Sequence, residues 1–100
     1  MNELSDLFHQ NMIRVYEKAK DQDYFATYFK SMLDQYSGVE TAKRLLTSDQ
    51  PQTGLLRLWE LKLLDSSMEA LVIQDRFAEL FTADEINQAR KRLEDLGYFD

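Results

Sequence analysis

The chain has 100 residues, a formal net charge of −6 and no cysteine, and 44% of its residues are hydrophobic. This length is typical of one domain with a single core, and so much apolar material argues against intrinsic disorder. The missing cysteines exclude a disulfide framework and a cysteine-ligated zinc site. The acidic excess disfavours a general nucleic-acid binder, because phosphate backbones are bound by clustered cations.

Helix-breaking residues are scarce, with one proline and three glycines, and this scarcity favours helices over a sandwich or barrel. The first residues are acidic and polar, whereas a secretory signal begins basic and then becomes apolar. No run approaches the ~18 consecutive apolar residues of a membrane span. We therefore predict an all-α protein: a compact single-domain bundle of five to six helices over residues 1–100, without a sheet, in the cytoplasm.

The first predicted helix runs from about Asn2 to Lys20, where apolar residues recur at steps of three and four. Asp23 is a candidate N-cap for a second helix, and Gly38 stands where a left-handed C-cap would end it. Five aromatic rings lie on the apolar stripe of this helix: Tyr24, Phe25, Tyr28, Phe29 and Tyr36. We interpret the stripe as core, although the same face could form a groove for a partner helix.

A third helix is predicted over 39–46, followed by a polar loop from Thr47 to Gly54 that we interpret as an internal connection. The fourth helix starts near Gly54 and has six leucines and a tryptophan within 55–64. A helix that is apolar nearly all round is either central in a bundle or touches another chain. In the second case, the partner surface consists of Leu56, Trp59, Leu61 and Leu63.

Two sequence signals mark further helix starts. Ser66 with Glu69, and Thr82 with Glu85, each have the spacing of a capping box. The last helix then runs to about Leu96, and Gly97 is its predicted C-cap.

Four segments occur in a characteristic order: GVETAKRLL (38–46), GLLRLWEL (54–61), LDSSMEALV (64–72) and FAELFT (77–82). This succession resembles a widespread group of short bacterial all-helical proteins and domains that have no assigned activity. The resemblance covers roughly residues 24–98, and it implies a bacterial origin and a helical fold without catalytic residues. Members often have glycine and arginine where this chain has Lys62 and Leu63, which predicts a longer fourth helix here.

Catalytic and ligand-binding patterns are not evident in the sequence. His9 is the only histidine, and although Asp6 lies one helical turn before it, neither a nucleophile with an oriented base nor three metal ligands accompany the pair. Helix starts explain the positions of Glu79, Asp84 and Glu85, and the restart before the fifth helix explains Asp65. The three glycines are too far apart for a phosphate-binding loop. We expect no enzyme activity, no metal, no cofactor and no small-molecule ligand.

Basic residues form two short groups, Lys43 with Arg44 and the triplet Arg90, Lys91 and Arg92. The triplet is typical of a helix C-terminal half, where cations interact favourably with the helix dipole and with acids four residues away. The sequence favours a non-enzymatic protein–protein interaction or accessory protein that binds another protein or itself through helix 54–64. The alternative is a nucleic-acid-associated regulator that uses the two basic groups.

Overall fold

Helices make up the regular structure of the computed structural model, which describes residues 3–48 and 53–100. The α-helices are α1 (Glu3–Asp21), α2 (Thr27–Gln35), α3 (Gly38–Leu46), α4 (Thr53–Glu60), α5 (Met68–Val72) and α6 (Ala83–Asp95). Two 3₁₀ helices, Leu64–Ser66 and Asp75–Leu80, flank α5. The described ranges contain no strand, so the predicted all-α fold is confirmed there. Residues 1 and 2 and half of the predicted polar loop, residues 49–52, lie outside them.

The core is organised around α1, which packs against α2, α3, α5 and the second 3₁₀ helix. Its predicted apolar stripe supplies the side chains of Phe8 and Met12, both fully buried. The Phe8 ring meets the rings of Phe77 and Phe81 edge-on, each with centroids 5.1 Å apart. Such edge-to-face contacts add to the free energy of apolar burial, and they tie the second 3₁₀ helix to α1.

The turn after α1 differs from its prediction. Asp23 has φ +62°, and its N–H donates to the Lys20 carbonyl at 2.9 Å while the Tyr24 N–H donates to the Ala19 carbonyl at 2.9 Å. These two bonds form a Schellman motif, which ends a helix. Asp23 therefore terminates α1, and the prediction that it caps α2 is wrong, because α2 begins only at Thr27.

A second Schellman motif ends α4. Lys62 has φ +62°, and its N–H donates to the Trp59 carbonyl at 3.0 Å while the Leu63 N–H donates to the Leu58 carbonyl at 2.7 Å. The predicted longer fourth helix is wrong, since α4 ends at Glu60. Lys62 occupies the left-handed position that glycine adopts most easily. This turn therefore forms here with a lysine in place of a glycine.

Two predicted helix termini are confirmed. The Thr82 hydroxyl accepts from the Glu85 N–H at 3.1 Å, and the Glu85 carboxylate accepts from the Thr82 N–H at 2.8 Å. Gly97 ends α6 with φ +76°. The predicted box of Ser66 with Glu69 is wrong by one residue, because Ser67 is the N-cap of α5 and leaves the Glu69 side chain buried.

Gly38 serves a close approach between two helices. It is buried as the first residue of α3, behind the N-cap Ser37 whose hydroxyl accepts from the Glu40 N–H. A Cβ atom at this position would lie 2.7 Å from the Cα atom of His9 in α1. The prediction that Gly38 is a C-cap is therefore wrong: only a hydrogen at this Cα lets α3 contact the α1 backbone.

We expect Gly38→Ala to lower the free energy of unfolding by about 1–3 kcal/mol, because the methyl group forces α3 away from α1. Urea denaturation followed by circular dichroism measures the change. Gly54→Ala is the matched control: its Cβ would meet only the movable hydroxyl of Tyr24, at 3.3 Å, so the effect should be smaller. Equal losses in the two variants would contradict the close-approach role.

Candidate functional site

The fourth helix lies at the periphery of the bundle. Leu55 and Leu58 are buried, whereas Leu56 and Trp59 are 47% and 48% exposed. The exposed pair is three residues apart and therefore lies on one side of α4. The sequence left two interpretations of this apolar helix open, a central position in the bundle or contact with another chain. The structure does not place the helix at the centre.

The other two residues of the predicted partner surface follow the end of α4. Leu61 and Leu63 are only partly exposed, on either side of the left-handed Lys62. The reversal at Lys62 takes the chain off the helix axis before Leu63. We define the α4 face as Leu56 and Trp59, with Leu61 and Leu63 at its edge.

A cleft of about 830 Å³ lies where α1 and α2 approach α4. Six aromatic residues line this cleft: Tyr16, Tyr24, Phe25, Tyr28, Phe29 and Tyr36. The interpretation of the α2 stripe as core holds for Met32 and Leu33, which are buried, but Phe25 and Tyr28 are 54% and 73% exposed. For Phe25 the reason is that α2 begins at Thr27, so this residue precedes the helix and does not share its buried side.

Arg92 is buried, although the sequence made it a candidate nucleic-acid contact. Its Nη1 donates to Oε2 of Glu69 at 3.1 Å, and its Nη2 donates to the carbonyls of Leu45 at 2.9 Å and Leu46 at 3.3 Å. Burial raises the pKa of the Glu69 carboxyl, while the Glu69 backbone N–H and Arg92 oppose that rise. Arg92 thus joins α6 to α5 and to the C-terminus of α3. Because its two Nη groups are engaged and the side chain is buried, it is poorly placed to bind a ligand.

The Arg92–Glu69 pair was missed by sequence reasoning, although a signal exists. Arg92 follows Ala89 by three residues and precedes Leu96 by four, so it shares the apolar side of the predicted last helix. A cation on that side requires a buried partner. The sequence does not say which of 18 carboxylates supplies it.

The exposed cations of the two basic groups mostly face carboxylates. Lys43 Nζ lies 2.7 Å from a Glu85 oxygen, Arg44 Nε lies 3.0 Å from one of Glu40, and Lys91 Nζ lies 3.5 Å from one of Asp95. Arg90 is exposed on α6. A phosphate backbone would have to compete with these acids for three of the five cations, and the fourth, Arg92, is buried.

His9 lies partly buried against Gly38, and no described residue offers its Nδ1 atom a hydrogen bond. Within residues 3–48 and 53–100, no cluster of three histidine or carboxylate side chains is placed to hold a metal ion. Among the same residues, no helix is both long and apolar enough to cross a bilayer.

Comparison of the chain with protein-family models, with curated proteins and with solved structures finds no match. The resemblance to a group of short bacterial proteins therefore stays a prediction. The features of the described residues that bear on function are the α4 face, the aromatic cleft and the charges around them.

We expect Arg92→Met to lower the free energy of unfolding by about 3–5 kcal/mol, because the Glu69 carboxylate is left buried without its cation. Chemical denaturation measures this loss. Arg90→Met, an exposed change on the same helix, should stay within about 0.5 kcal/mol.

The double variant Arg92→Met/Glu69→Leu separates buried charge from lost packing. It should recover part of the loss, since apolar residues replace buried ion pairs at little cost. If Arg92→Met is no more damaging than Arg90→Met, the structural role of this ion pair is wrong.

The Glu85 carboxyl gives a testable pH dependence. Burial raises its pKa, but hydrogen bonds from Lys43 Nζ and the Thr82 N–H outweigh that effect, so the pKa lies below its ordinary value of 4.5. Its stabilising contribution is therefore present above pH 4.5 and is lost as the pH falls through the lower folded-state pKa.

We expect Glu85→Gln to cost about 1 kcal/mol of unfolding free energy near neutral pH and almost nothing at strongly acidic pH. Urea denaturation of both proteins across this pH range measures the difference. Glu79→Gln, at an exposed carboxyl, is the control and should show no such trend. A cost independent of pH would refute the lowered pKa.

Proposed function

We propose that this chain is a non-enzymatic interaction protein whose α4 face binds another protein chain, with a second copy of itself as the partner. The observation that carries the proposal is the half exposure of Leu56 and Trp59 on one side of a peripheral helix. Tryptophan is among the residues most enriched at interface hot spots, because it buries a large rigid area. Leu61 and Leu63 extend the apolar area at the end of α4.

Charge beside the α4 face favours a second copy. Arg57 and Glu60 lie next to Leu56 and Trp59 on the helix, and their own ion pair is long, at 3.8 Å. When two α4 helices pair antiparallel about a two-fold axis, Arg57 of one copy comes beside Glu60 of the other. The same patch is then complementary to itself, as a symmetric dimer interface requires.

Sedimentation velocity over a concentration series tests this proposal. We expect the wild type to form a dimer, and Leu56→Ala/Trp59→Ala to raise the dissociation constant by about tenfold or more, because the central apolar contacts are lost. Tyr28→Ala removes a more exposed aromatic ring from α2, outside the α4 face, and should leave the dimer intact.

Charge reversal tests the antiparallel arrangement. Glu60→Lys should weaken the dimer several-fold, since it sets lysine beside Arg57 of the other copy, and Arg57→Glu/Glu60→Lys should restore it. A wild type that stays monomeric at every concentration, or a dimer unaffected by Leu56→Ala/Trp59→Ala, would overturn the proposal.

A further inference from the structure

The aromatic cleft has the size and lining of a small-molecule site. Its volume of about 830 Å³ falls within the roughly 300–1,000 Å³ of ligand pockets, which are mostly apolar with a few polar groups. Leu55 and Leu58 of α4 form one side, and Met32 of α2 faces the interior. These flexible aliphatic side chains and the surrounding rings suit a hydrocarbon or aromatic body.

The charge of the cleft differs from that of the whole chain. Although the protein carries a net charge of −6, Arg44 and Glu69 are the only charged residues among the described cleft lining. Glu69 is buried and paired with Arg92, so its charge is compensated. Arg44 is half exposed and pairs with Glu40, so within the described lining it supplies the one accessible side-chain charge, which is positive.

Arg44 is held at the cleft in a defined orientation. Its guanidinium carbon lies 4.0 Å from the centroid of the Tyr36 ring, and Nε bonds to Glu40. That ion pair is made by Nε and does not involve the two Nη groups. A guanidinium stacked on a ring loses little further freedom when it binds a carboxylate.

We propose that the aromatic cleft binds a small amphipathic acid, with its apolar body among the aromatic rings and its carboxylate at Arg44. This proposal departs from the expectation of no small-molecule ligand. The lining residues come from five helices and the turn before α2, so no single segment of the sequence indicates the cleft. The site is separate from the α4 face: Leu55 and Leu58 point into the cleft, whereas Leu56 and Trp59 lie outside its lining.

The test uses probes that share one tail and differ in the head group: decanoate, 1-decanol and decyltrimethylammonium, each below its micelle concentration. Amide chemical shifts in two-dimensional NMR report both affinity and location. We expect decanoate to bind most tightly, with the largest shifts in α2 and α4.

Arg44→Gln should weaken the binding of decanoate by about threefold, as expected for loss of an exposed ion pair. It should leave the affinity for 1-decanol unchanged. Lys91→Gln removes the same charge from α6 and is the matched control, with unchanged affinity for every probe. The proposal is overturned by absence of decanoate binding, by shifts outside the cleft, by an ammonium probe that binds as well as decanoate, or by equal affinities in wild type and Arg44→Gln. Sedimentation velocity on the same samples shows whether the dimer changes, so ligand binding in the cleft is distinguished from self-association.

Discussion

The ion pair between Arg92 and Glu69 is the contact on which the arrangement of the second half of the chain depends. One guanidinium reaches a carboxylate of α5 and the last two carbonyls of α3, so three helices meet at a single side chain. The terminal carbonyls of a helix have no partner within that helix, and burying them without one is costly. Arg92 satisfies two of these carbonyls, which allows the C-terminus of α3 to lie against α6.

This arrangement also explains why the molecule has a cleft. The backbone approach at Gly38 fixes the start of α3 on α1, and Arg92 fixes its end on α5 and α6. With both ends held, α3 lies against α2 and contributes Arg44 and Leu45 to the cleft lining. The α4 helix begins beyond α3 and contributes Leu55 and Leu58 to the far side of that cleft. The cleft therefore results from helices held elsewhere, and its aromatic residues line a space that no described helix fills.

Sequence reasoning was most successful where the determinant is local. The stripe of α1 and the capping box of Thr82 with Glu85 depend on residues within a turn or two of each other, and both are confirmed. The errors share a different cause. Asp23 and Gly38 were assigned from residue type alone, but the first residue adopts a left-handed conformation that glycine usually fills, and the second is required by the backbone of a distant helix. The Asp23 turn is local but is not indicated by its residue type, whereas the Gly38 constraint comes from outside its own segment.

The candidate sites show the same limit in a stronger form. The leucine-rich composition of residues 54–64 predicted a helix with more apolar side chains than one side can bury. Periodicity, however, cannot distinguish a central helix from a peripheral one. That choice depends on how much of the bundle α1 already fills: with Phe8, Met12, Phe77 and Phe81 in contact there, α4 is left at the edge with Trp59 half exposed. With α4 at the edge, its inner leucines are buried towards the bundle and line the cleft that α1 and α2 border. The outer leucine and tryptophan and the inner cleft are thus two consequences of one packing constraint.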